Sequence, residues 1–104
     1  MSAKQYEVVV SDKVRQGLGR IIGFIAADSK QAAYKIKNEL MRGIKSLEYL
    51  PYRSAFLEGE FIPYNKYRKL IISQRFLLIY QICDDKVYVD YVVDCGEEYQ
   101  WLIR

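Results

Sequence analysis

Residues 67–94 read YRKLIISQRFLLIYQICDDKVYVDYVVD, and the reading of this stretch decides the fold. It holds three runs rich in Ile, Val, Leu and Tyr, at Tyr67 to Ser73, Arg75 to Cys83 and Val87 to Asp94, broken only by Gln74 and by Asp84-Asp85-Lys86. Branched and aromatic side chains fit a pleated, half-buried surface, and interruptions this short suit hairpin turns. Three consecutive antiparallel strands are therefore predicted. In the last of them Val87, Val89, Tyr91 and Val93 alternate with Tyr88, Asp90, Val92 and Asp94, which predicts one packed face and one partly solvated face.

Upstream the period changes. Val14, Leu18, Ile21, Ile22 and Ile25 recur at helical spacing after Ser11-Asp12, which supplies N-cap chemistry. Gly17, Gly19 and Gly23 each weaken that helix by about 1 kcal/mol relative to alanine and leave room for another backbone to approach. A second helix is predicted after Asp28-Ser29, burying Ala33, Ile36, Leu40, Ile44 and Leu47 while its lysines and arginines face away. Tyr6 to Ser11 reads as a short leading strand, and Pro51 closes the second helix. Tyr49 to Asn65 is then a long connection carrying Tyr52, Phe56, Phe61 and Tyr64, too long and too aromatic to be an idle link. Glu97 to Ile103 fits either a last helical turn or an extended tail. The order β-α-α-β-β-β is an α+β layout, a helical hairpin packed on an antiparallel sheet, with one domain expected over residues 1–104.

Composition narrows the function. Of 104 residues 51% are apolar, enough to offset the entropy of ordering one core. No apolar run follows Lys4, and Leu70 to Ile82 is interrupted by Ser73-Gln74-Arg75, so a soluble, cytoplasmic protein without membrane contact is expected. In that setting Cys83 and Cys95 are expected to be reduced, small core residues. Residues 1–53 carry ten Lys/Arg against five Asp/Glu, and residues 54–104 carry six against eight. The basic half suits nucleic acid, the ribosome or an acidic protein, although charge runs also serve simply as solvated faces.

The chain has no histidine, which removes His-based triads, His proton transfer and His metal sites. Two cysteines are too few for zinc, and neither a GxxxxGK loop nor a GxGxxG turn is present, so no cofactor and no metal is expected. The acidic series Asp84, Asp85, Asp90, Asp94, Glu97 and Glu98 lacks the spacing of a calcium loop. Any enzyme here works with Lys, Arg, Tyr and carboxylates. Metal-free RNA cleavage can use such a set, with Lys or Tyr moving protons and Arg stabilising charge on phosphate. The candidate constellation is Lys66, Tyr67, Arg68, Lys69, Arg75 and Tyr80, although strand alternation sends Tyr67 and Lys69 to one face and Arg68 to the other.

The first strand ending in Ser11-Asp12, the helical hairpin, Tyr67-Arg68-Lys69-Leu70-Ile71-Ile72, Leu78-Ile79-Tyr80-Gln81-Ile82 and the closing Tyr99-Gln100-Trp101-Leu102-Ile103 together resemble the RelE/ParE superfamily of toxins from type II toxin–antitoxin systems. Glu60-Phe61-Ile62-Pro63-Tyr64-Asn65-Lys66-Tyr67 is similar to a subgroup of those toxins. The resemblance covers nearly the whole chain and implies a cognate antitoxin, expected over the exposed basic helical faces and the loop from Tyr52 to Tyr64. Members resembling RelE cut messenger RNA in the ribosomal A site, which would make Arg68, Lys69 and Tyr99 the catalytic counterparts here. Two arginines of that pattern are replaced: Leu77 stands at the third-strand position and Gly96 near the terminal one. Members resembling ParE inhibit DNA gyrase and need none of these residues. Three readings stay open: inhibition of translation through mRNA cleavage, inhibition of DNA gyrase, and an inactive relative that keeps only antitoxin and operator binding.

Overall fold

A computed structural model describes residues 4–95. The elements run β1 (Glu7–Val10), α1 (Asp12–Asp28), α2 (Lys30–Ser46), a 3-10 turn (Pro51–Arg53), β2 (Arg68–Ile72), β3 (Phe76–Cys83) and β4 (Lys86–Asp94). Both helices begin where the sequence places a cap. The Ser11 hydroxyl accepts the Val14 N–H at 3.1 Å, and the Ser29 hydroxyl accepts the Ala32 N–H at 3.1 Å. Ser29 also ends α1, its N–H donating to the Ile25 carbonyl, so one residue makes the whole hairpin turn.

The four strands lie in the order β1-β4-β3-β2. β2, β3 and β4 are antiparallel neighbours, and β1 adds in parallel beside β4, so the sheet is mixed. The parallel pairing is possible because α1 and α2 with two of the strands lie between β1 and β4 in the chain and cover one face on the way. On that face Leu18, Leu40, Ile44, Phe76, Tyr80 and Val89 belong to the main core. Gly17 lets α1 approach the sheet: a Cβ there would lie 3.0 Å from Val92 Cγ1.

The alternation expected for β4 breaks at Asp90. Ile79 pairs with Tyr91 and Tyr80 with Val89, which leaves Asp90 as the extra residue of a β-bulge. Val87 and Val89 stay in the helix-side core, but beyond the bulge Val92 packs on that core while Tyr91 and Val93 join a second cluster on the far face. Four residues expected on one face are thus divided between two. The N-cap pins the bulge, since the Ser11 hydroxyl donates to the Asp90 carbonyl at 3.4 Å and the Ser11 N–H to the Val89 carbonyl at 3.1 Å.

The connection before β2 covers the far face. It starts on the helix side, where the buried Tyr80 hydroxyl donates to the Pro51 carbonyl at 2.7 Å. It then turns around the outer edge of β2, with a Phe56–Arg68 bridge, the Leu57 N–H on the Tyr67 carbonyl at 2.7 Å and the Lys69 N–H on the Ala55 carbonyl at 3.2 Å. Leu57 and Ile62 finally bury themselves against Tyr67, Leu77, Ile79 and Val93. Asn65, at φ 52°, takes the left-handed conformation that returns the chain to β2, a geometry asparagine tolerates. Cys83 and Cys95 are exposed rather than in the core, because Cys83 ends β3 and Cys95 follows β4, so neither lies in the middle of a strand. The expected tail at Glu97 to Ile103 lies outside the described residues.

Candidate functional site

Arg68 and Lys69 leave β2 on opposite faces: Arg68 is paired with Tyr80 of the helix-side core and Lys69 with Ile79 of the far-side cluster. Arg68 is fixed as a clamp. Its guanidinium lies 4.0 Å from the centre of the Phe56 ring and 5.1 Å from that of Tyr52, and it donates to the Ser54 carbonyl at 2.6 Å. A planar cation stacked on rings and bonded to a backbone carbonyl holds the connection to the sheet. Tyr80 is fully buried in the helix-side core, and Arg75 sits at the β2–β3 turn with Nε 3.0 Å from Asp94 Oδ2. The constellation suggested by the sequence is therefore spread over three places. Tyr99 and Gly96 lie outside the described residues.

The far face instead gathers a row that alternation hid. Lys13 Nζ is 4.8 Å from the Tyr91 ring centre, the rings of Tyr91 and Tyr67 meet edge to face at 6.2 Å, and Lys66 Nζ is 5.3 Å from the Tyr67 ring. Lys69 shares this face, and Gln81 Nε2 donates to Asp90 Oδ2 at 2.7 Å beside it. The bulge at Asp90 is what turns Tyr91 toward the row, and the first turn of α1 is what brings Lys13. Burial raises the Tyr67 pKa, with Asp90 adding to the effect. Burial also raises that of Tyr91, with Tyr67 and Asp90 adding and Lys66 opposing. Both phenols thus stay protonated at neutral pH, able to donate hydrogen bonds but poorly suited to take a proton from a ribose hydroxyl.

Leu77 occupies the middle of that same face. It is 3% exposed and packed in the cluster with Leu57 and Ile62, so the connection closes over it. Among the described residues no group of three or more Cys, Asp or Glu side chains could hold a metal ion, and no helix is long and apolar enough to cross a membrane.

A different surface lies at the opposite edge of the sheet. β1 and α2 bound an open groove of about 760 Å³, with Val8, Val10, Met41 and Ile44 along it and Glu7, Lys45 and Glu48 beside them. The groove continues past Leu18 toward Arg15 of α1. A strand edge that pairs with no further strand among the described residues, beside an apolar trough, is suited to receive another extended chain.

The family model of the ParE toxin, from the type II toxin–antitoxin system parDE, matches residues 8–99. The chain belongs to the ParE toxin family. No curated protein matches the sequence. Solved structures share the fold at low identity. A chain of the chromosomal ParDE TA system from P. aeruginosa superposes with a TM-score of 0.70 at 13% identity, over 88% of this chain and 98% of that one. The conserved hypothetical protein HP0894 from Helicobacter pylori gives 0.59 at 15% identity, over 88% and 97%. YafQ from E. coli gives 0.54 at 17% identity, over 88% and 96%. As a ParE toxin the chain is the toxin member of a type II pair, and its partner is a cognate antitoxin.

Proposed function

We propose that this ParE-family chain, acting as a single domain over residues 1–104 in the cytoplasm, arrests bacterial growth through DNA gyrase without cutting RNA, and that its antitoxin silences it by covering the β1 edge and the groove beside it. The observation that carries the choice of target is Leu77. Where ribonuclease relatives are expected to place a phosphate-binding arginine, this chain has a leucine sealed under Leu57 and Ile62. Electrostatic stabilisation of the reacting phosphate usually contributes more to such catalysis than any other effect, and a covered apolar side chain supplies none. The protonated Tyr67 and Tyr91 point the same way, since neither serves as a ready base. Arg68 is committed to Tyr52, Phe56 and the Ser54 carbonyl.

The test is induced expression in a bacterial host, with pulse labelling of DNA and protein synthesis, joined to a supercoiling assay with purified gyrase. An early fall in DNA synthesis, together with inhibited supercoiling, is the expected result. Toxicity should survive Lys69→Ala and Tyr99→Phe. An early fall in protein synthesis with mapped mRNA cuts would overturn the reading, and unimpaired growth would leave only the binding-module reading.

A further inference from the structure

Lys13, Lys66 and Lys69 bring three ammonium groups to the far face, and little among the described residues answers their charge. The ion pairs there are Arg15 with Asp12 and Arg75 with Asp94, so Asp12 is engaged away from its neighbour Lys13, and Glu58 and Glu60 of the connection bridge to no lysine. Asp90 is the acid within the row, and its Oδ2 accepts from Gln81 at 2.7 Å. The row keeps a surplus of positive charge, spaced by the rings of Tyr91 and Tyr67. Beyond Lys69 on the same face of β2, Ile71 is 57% exposed, although Leu77 across from it and Val93 beyond are buried. A basic surface set with rings and an exposed branched side chain suits an acidic segment that carries a large apolar residue.

The chain itself supplies such a segment at this end of the sheet. The Cys95 N–H donates to the Arg75 carbonyl at 2.7 Å, one residue past the end of β4, and residues 96–104 then read GEEYQWLIR. Gly96 lets a chain reverse at no steric cost. We propose that residues 96–104 fold back over the far face as a tethered strap, pairing Glu97 and Glu98 with the lysine row and laying Trp101 on the apolar surface beside it. The spacing fits a helix or a strand equally, since residues four apart, such as Glu97 and Trp101, share one side of either. Reach is sufficient. From Cys95 back to Tyr91 is about 13 Å of strand, and three extended residues carry Glu98 about 10 Å, within side-chain range of the lysines. The contact does not depend on which target the toxin takes.

Trp101 is the only tryptophan of the chain, so its fluorescence reports the strap directly. In the full chain its emission should lie to the blue of that in urea, and acrylamide should quench it several-fold less. A tethered segment meets its site at an effective concentration in the mM range, so both readings should be the same from about 1 µM to about 100 µM protein. Lys13→Glu combined with Lys69→Glu should raise the quenching several-fold toward the unfolded value, with circular dichroism unchanged. Adding Glu97→Lys and Glu98→Lys to that variant should restore the shielding. Arg20→Glu, in the helix-side groove with Phe24 and Val92, should change neither reading. Five outcomes would each overturn the proposal: Trp101 as open to acrylamide in the native chain as in urea, shielding that appears only as the protein is concentrated, lysine reversals without effect, a fourfold variant that stays open, or release by Arg20→Glu.

Discussion

Tyr80 places a phenol where no water reaches it, 0% exposed, and keeps it there by donating to the Pro51 carbonyl. Burial raises its pKa above the ordinary 10.0, an effect that its neighbours Ser54, Arg68 and Arg53 oppose without reversing. Because the folded-state value lies above the unfolded one, the contribution of the neutral phenol is fully present below pH 10.0 and is lost as the pH rises through the raised value. Tyr67 and Tyr91 shift in the same direction, so stability should hold level through neutral pH and fall on the alkaline side. Tyr80→Phe should cost about 1 kcal/mol by leaving the Pro51 carbonyl unpaired, and should make the alkaline fall shallower. Urea unfolding at a series of pH values reads both effects. An unchanged alkaline slope would mean that Tyr80 is not among the groups that titrate on unfolding.

Among the elements, the glycines of the two helices separate free space from close contact. At Gly23 an added Cβ meets nothing within 4 Å, whereas at Gly43 it would lie 2.3 Å from Cδ1 of the buried Ile72. Gly23→Ala should therefore raise stability by about 1 kcal/mol through helix propensity, and Gly43→Ala should fall short of that gain by about 1–3 kcal/mol of overpacking. Thermal unfolding of the two variants side by side measures the difference, and equal midpoints would dismiss the contact. The helices themselves were legible in the sequence because Ser11, Ser29 and the apolar stripes are local signals. The strands were legible to within a residue or two for the same reason. Gly43 and the Asp90 bulge were not, since each depends on what a distant strand brings alongside. The bulge is fixed by Ser11, 79 residues earlier in the chain, so alternation read locally assigns Tyr91 to the wrong face and misses its meeting with Lys13. The aromatic connection was visible as unusual, but Leu57 and Ile62 carry no mark of the far-side core that they complete.

At the scale of the molecule, the sheet separates two cores of unequal security. The helix-side core is closed by two 17-residue helices, while the far side is closed by a connection held at the β2 edge and by the Arg68 clamp. Regions closed by irregular chain open at lower free energy than those closed by packed helices. Truncating a buried leucine costs about 2–5 kcal/mol in either core, but the consequences should differ in reach. Leu40→Ala strikes the core shared by both helices and the sheet, so amide protection should fall throughout. Leu57→Ala should lower it first at the amides of Leu57 and Lys69, which bond across the β2 edge, while the amides of α1 and α2 keep theirs up to the limit set by global unfolding. Native-state hydrogen exchange compares the two. Equal loss of protection everywhere in Leu57→Ala would mean that the connection and the helical layer unfold as one unit. Selective loss would make the cover over Leu77 a separately opening layer, able to expose the far face without unfolding the chain.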